Sequence, residues 1–160
     1  MKRLFAFVST AILMTAGLAF IAKNSMKAQQ AEVRTRAQKE GSMNPIMVSF
    51  SELKWAGLPE RPGMQFAVLS GDPTIGPYTQ MRKVPAGTNN GLHAHSSELT
   101  NVIISGVWFT GTDQSSAKDF GPGSVVMMPG GWVHVSGCRS GSDCVFYQAG
   151  KGKFDFKPSP

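Results

Sequence analysis

From residue 46 to residue 156 the chain is cut at close intervals by Gly, Pro and Asp, and the runs between them are short and rich in Val, Ile, Phe and Trp. No run keeps a helical period over three turns, so a helical domain is excluded there and an antiparallel all-β domain is predicted. The expected strands are 46–50, 66–70, 78–84, 91–95, 99–104, 107–110, 117–120, 124–128, 132–135, 144–149 and 153–156. Turn chemistry marks Gly71-Asp72-Pro73, Ser105-Gly106, Gly121-Pro122-Gly123 and Gly130-Gly131 between them. Strands this short and this numerous, in a chain of 160 residues, suit a β-barrel or double-sheet jelly roll. A hydrophobic content of 41% excludes disorder, the length allows one core, and no internal repeat of solenoid or propeller period is present.

The formal charge of +6 could suggest a nucleic-acid partner, but its placement argues against one. Lys2, Arg3, Lys23 and Lys27 flank an apolar segment at the start of the chain, and the remainder carries 12 basic against 10 acidic residues. No basic run there exceeds two residues, so no nucleic-acid face is expected.

Residues 4–22 are uncharged and follow Lys2 and Arg3, the pattern of a secretory signal. Two outcomes are open. A cleaved signal would end near Ala28, although Met26 is a bulky residue for the −3 position. An uncleaved segment of 19 residues would tether the protein to a membrane, since at about 1.5 Å per residue it approaches the hydrocarbon thickness. Both place the domain outside the cytoplasm, periplasmic or secreted. No Cys follows the apolar run, so a lipid anchor is not expected. The expected organisation is a signal or anchor over residues 1–28, a polar linker over 29–45 and the β domain over 46–160.

Cys138 and Cys144 are the only cysteines and bracket the turn-rich residues 139–143. They read as the two ends of a hairpin loop, close enough for a disulfide in an oxidising compartment. The competing reading makes Cys138 a metal ligand four residues after His134, and a bridge would consume that thiolate.

All three histidines, His93, His95 and His134, fall within 42 residues. On a strand, side chains two apart share a face, so His93 and His95 can aim at one point inside a barrel. Glu98 follows closely, and His134 would come from another strand. Imidazoles with a carboxylate suit one divalent transition metal, Fe, Zn, Mn, Ni or Cu, with coordination positions left open. The lining of such a cavity is less determined. Tyr78, Gln80 and Arg82 alternate with Thr79, Met81 and Lys83, so either set could face inward. Phe146 and Gln148 share one face of a late strand, and Trp108, Trp132, Met127 and Met128 are candidate apolar walls.

These residues resemble the two motifs of the cupin superfamily. Gly87, five residues, His93-Ala94-His95, Glu98 and Gly106 match the first; Gly123, five residues, Pro129-Gly130-Gly131, two residues, His134 match the second. The resemblance runs from about residue 46 to 156 and is to small single-domain cupins without an assigned reaction. It implies a cupin β-barrel, a metal held by His93, His95, Glu98 and His134, a small-molecule ligand, and a homodimer paired through edge strands.

Two positions depart from the pattern. Glu98 is one residue early, with Leu99 and Thr100 where the family carries its carboxylate, and on an uninterrupted strand Glu98 would face away from the histidines. A turn or bulge at Ser96-Ser97 could return it. Without it, the remaining three-histidine site resembles thiol and diketone dioxygenase cupins. Cys138 replaces the usual Asn. The functional expectation is an exported mononuclear metal-binding cupin acting as a small-molecule oxygenase, lyase or isomerase. The alternatives are a non-catalytic ligand- or metal-sensing module and a purely structural barrel.

Overall fold

Eleven short strands form two antiparallel sheets in the computed structural model, which describes residues 25–32 and 45–160. The chain divides into two units, Met1–Pro45 and Ile46–Pro160. In the first, residues 25–32 are helical. The expected signal or anchor at residues 4–22 and most of the linker lie outside the described residues. Among those described, no helix is long and apolar enough to cross a membrane.

In the second unit a 3-10 turn at Phe50–Glu52 precedes β1 (Ala56–Leu58), β2 (Arg61–Gly71), β3 (Tyr78–Val84), β4 (Asn89–Ala94), β5 (Leu99–Ser105) and β6 (Trp108–Gly111). β7 (Lys118–Phe120), β8 (Val125–Met128), β9 (His134–Cys138), β10 (Cys144–Gly150) and β11 (Lys157–Pro158) complete it. The six-stranded sheet has the order β1-β2-β3-β10-β5-β8, and the five-stranded sheet the order β11-β4-β9-β6-β7.

Period-two alternation decides which residues fill the space between the sheets. On β3, Tyr78, Gln80, Arg82 and Val84 face inward, and their partners across the ladder are Gly150, Gln148, Phe146 and Cys144 on β10. Met64, Val84, Ile103 and Phe146 from one sheet pack with Trp108 and Cys138 from the other into the main core. At about 25 cal/mol per Å² of apolar surface removed from water, aromatic anchors such as Phe146 and Trp108 dominate this contact. The outer face of the six-stranded sheet has its own cluster, Ala67, Met81 and Val145, which Leu53, Trp55, Leu69 and Tyr147 cover.

Three expectations are corrected. Residues 46–50 form no strand: 45–49 are irregular and Phe50 opens the 3-10 turn, closed by Ser49 and Glu52, each accepting from or donating to the other's end. The segment 153–156 is irregular and paired in no ladder, and β11 begins only at Lys157. Cys138 and Cys144 are bonded, as expected, but they do not close a hairpin of one sheet. β9 belongs to the five-stranded sheet and β10 to the six-stranded one, so the bond runs between sheets.

Candidate metal centre

His93 lies on β4 and His134 opens β9, and these two residues stand directly opposite each other in the β4–β9 register. His95 follows β4 immediately, two residues after His93 and on the same side, where the Gly131 N–H donates to its backbone carbonyl at 2.8 Å. Strand pairing and parity therefore bring three imidazoles to one place. Their ring centroids are 4.3 Å (His93 to His134), 5.0 Å (His93 to His95) and 5.5 Å (His95 to His134) apart, and one nitrogen from each lies within 4.8 Å of the others.

Every one of the three rings is oriented in the same way. His93 Nδ1 is bonded to the Gly91 carbonyl at 2.9 Å, His134 Nδ1 to the Trp132 carbonyl at 2.9 Å, and His95 Nδ1 to the Asp155 carbonyl. A carbonyl oxygen only accepts, so each Nδ1 carries the proton and donates. That leaves each Nε2 with a free lone pair, the form in which imidazole binds a metal. Trp132 stacks on His134 at 4.7 Å and Phe156 on His93 at 4.3 Å, which fixes the ring planes as well.

Electrostatics keep the rings neutral. Burial pulls His93 down to about 4, partly opposed by its bond to Gly91 and reinforced by His134, His95 and Arg61. Burial likewise lowers His95, against the Asp155 carbonyl, and lowers His134, against the Trp132 carbonyl. Neutral imidazoles at ordinary pH need lose no proton before coordinating. His134 Nε2 is buried without any hydrogen-bond partner. Leaving such an atom unpaired costs about 1–3 kcal/mol. A transition-metal ion among the three Nε2 atoms would satisfy it, so the donor set fits the metal that the sequence predicts.

Glu98 does not join the cluster. Ser96 and Ser97 form a bend, but the chain regains strand parity at Leu99, which points inward, and Glu98 falls on the outward side. Its carboxylate pairs with Lys151 Nζ at 2.9 Å, an exposed contact worth at most about 1 kcal/mol.

The imidazoles open into a cavity of about 380 Å³ between the sheets. Facing them is a polar wall on the six-stranded sheet. The Tyr78 hydroxyl and Gln80 Nε2 both donate to Gln148 Oε1, at 3.1 and 2.7 Å, and Gln148 Nε2 donates to Asn101 Oδ1 at 3.1 Å. Trp108, Met128 and Phe146 supply apolar surface. Of the other expected walls, Met127 is exposed and Trp132 backs His134.

The segment that closes the third side is the one expected as the strand 153–156, to which sequence reasoning gives no part in the site. Phe154 lies 5.4 Å from His95 and Phe156 stacks on His93, so these two residues share a face although no ladder holds them. Between them Asp155 turns its carboxylate to Ser96, accepting from the backbone N–H at 2.7 Å and from the hydroxyl. The period-two spacing of Phe154 and Phe156 was the available signal. Asn101 and Arg61 also line the cavity without having been singled out.

No protein-family model matches the sequence, and no curated protein matches it. Solved structures do. An RmlC-like cupin protein from Ralstonia eutropha superposes with a TM-score of 0.59 at 19% identity, covering 72% of this chain and 73% of that one. The polyketide cyclase RemF from Streptomyces resistomycificus gives 0.60 at 18%, covering 74% and 87%. A candidate acetylacetone dioxygenase from Methylibium petroleiphilum gives 0.59 at 17%, covering 75% and 88%. At such identities the shared property is architecture, and the three-imidazole cavity sits in a domain that has the cupin fold.

Proposed function

We propose that this protein is an exported, mononuclear metal-dependent cupin that transforms a small oxygen-bearing molecule in the cavity between its sheets. The observation that carries the reading is the convergence of three Nε2 atoms, each freed by an Nδ1 bond to the main chain, with that of His134 buried and unpartnered. His93, His95 and His134 would hold the ion on one side and leave its cavity side open. A metal so held supplies Lewis-acid polarisation of a substrate oxygen, or a site for dioxygen. The chain's own residues do the rest. Gln148 and Asn101 present amide groups to the substrate, and Trp108, Phe146 and Phe154 exclude water from it. Export is supported by residues 4–22 with Lys2 and Arg3, and by the Cys138–Cys144 bond, which suits an oxidising compartment.

Elemental analysis of the purified protein tests the reading. About one transition-metal ion per chain is expected, lost in His93→Ala/His95→Ala. Folded wild-type protein that takes up no metal from any of Fe, Mn, Ni, Cu or Zn would overturn it. Full occupancy without turnover across a broad substrate panel would favour a binding module.

A further inference from the structure

Arg82 projects from β3 into the space between the sheets, is 7% exposed, and lines the cavity. Its guanidinium carries five N–H donors and a fixed positive charge. Buried charges are ordinarily paired with a carboxylate, because an unpaired one is costly. Arg82 has no such partner: among the described residues its side chain makes no hydrogen bond and no ion pair, and its Nε is fully buried and unsatisfied. The Phe154 ring lies 5.1 Å below the guanidinium carbon, and the neutral Tyr78 side chain is the group whose field favours the charge.

The other charged groups of the cavity do not neutralise it. Asp155 spends its carboxylate on Ser96, with Lys157 alongside at 3.6 Å. Arg61 adds a second cation, held by Asn90 Oδ1 at 2.8 Å and lying 3.7 Å over the Phe156 ring, and it is Arg61 that feels the charge of Glu60. Burial lowers Arg82 to about 10, which leaves it protonated at neutral pH. The three imidazoles are neutral, so a divalent ion among them would make the cavity more positive still.

We infer that the cavity's ligand is an organic carboxylate, its carboxylate forked onto Arg82 and its body lying between Trp108, Phe146 and the three imidazoles. This rests on the reading of that cavity as a ligand site. A planar guanidinium pairs bidentately with an oxyanion, carboxylate among them. Trp108, Met128 and Phe146 in the lining suit an organic body better than an inorganic anion, and Asn101 and Gln148 are among the further side-chain donors. The amide wall beside Arg82 suits an acid that carries a second oxygen function.

The test is calorimetric titration of acetate, pyruvate, succinate and benzoate, and of their neutral amides, into wild type, Arg82→Gln, Arg82→Lys and the metal-free His93→Ala/His95→Ala protein, with metal content and thermal unfolding recorded for each. At least one carboxylate is expected to bind wild type, at least 10-fold tighter than its amide. Arg82→Gln should weaken it at least 10-fold while metal content stays unchanged, and Arg82→Lys should restore part of the loss. In the metal-free variant the preference for carboxylate over amide should persist, so a failed metal site and a failed anion site give different results. Equal binding by folded Arg82→Gln, no carboxylate bound by wild type, or binding of inorganic phosphate in preference to every carboxylate would each overturn the inference.

Discussion

Cys138 ends the strand that begins with His134, and its sulfur is bonded to that of Cys144, the first residue of the strand that carries Phe146 and Gln148. The bond therefore ties the wall bearing the imidazoles to the wall facing them. The closed loop is short, so its effect on the unfolded chain is modest, about 2 kcal/mol. Reduction, or Cys138→Ala/Cys144→Ala, should lower unfolding free energy in urea by about that amount. An unchanged denaturation midpoint would contradict it.

Asp155 holds both His95, through its carbonyl, and Ser96, through its carboxylate. Asp155→Ala keeps the carbonyl but frees the segment that presents it. Metal affinity should fall about 10-fold, as for other residues that orient ligands from behind. Competition with a chromogenic chelator measures this. Asp155→Asn, which can still accept the Ser96 N–H, should lose less, and equal losses would count against the orienting role.

The neutral imidazoles give the metal-free protein a pH dependence of definite sign. In the unfolded chain a His takes up its proton near pH 6.5. In the folded one, burial foremost holds His93 unprotonated down to about 4. Below 6.5 the unfolded state thus binds more protons, and the stability present above that pH is lost as pH falls towards about 4. Urea midpoints of wild type and His93→Gln should converge across this window. Parallel profiles would be inconsistent with a buried neutral His93.

Gly137 sits on β9 between Asn89 and Phe109, its partners in the two flanking strands. A Cβ there would strike the Thr88 carbonyl oxygen and would lie 2.6 Å from two carbons of the Phe109 ring. Gly137→Ala should cost about 1–3 kcal/mol or more, since backbone cannot yield as a side-chain tip can. Thermal unfolding checks it, and a neutral effect would mean that β9 shifts freely.

How far the sequence could be read depended on whether neighbours in the chain are also neighbours in space. The His93 and His95 parity was legible because both residues sit at one strand end. The inward set Tyr78, Gln80 and Arg82 was visible as an alternation, but its direction was not. Only the β3 and β10 pairing, 68 residues apart for Gln80 and Gln148, decides it. The hairpin reading of Cys138 and Cys144 failed for the same reason: two strands joined by a tight loop can part into different sheets, and nothing local records that. The strand expected at 153–156 keeps its alternation but not its ladder, because Phe154 and Phe156 pack on imidazoles instead of pairing with a strand.

The three acceptors that set the rings, at Gly91, Trp132 and Asp155, are all peptide oxygens. No replacement of a side chain can delete them. The tautomer of the centre is consequently written into the path of the backbone, and residue changes at these positions can tilt or loosen a ring but cannot hand the proton from one nitrogen to the other. Tuning of the centre is left to whatever alters that path, or to the groups across the cavity.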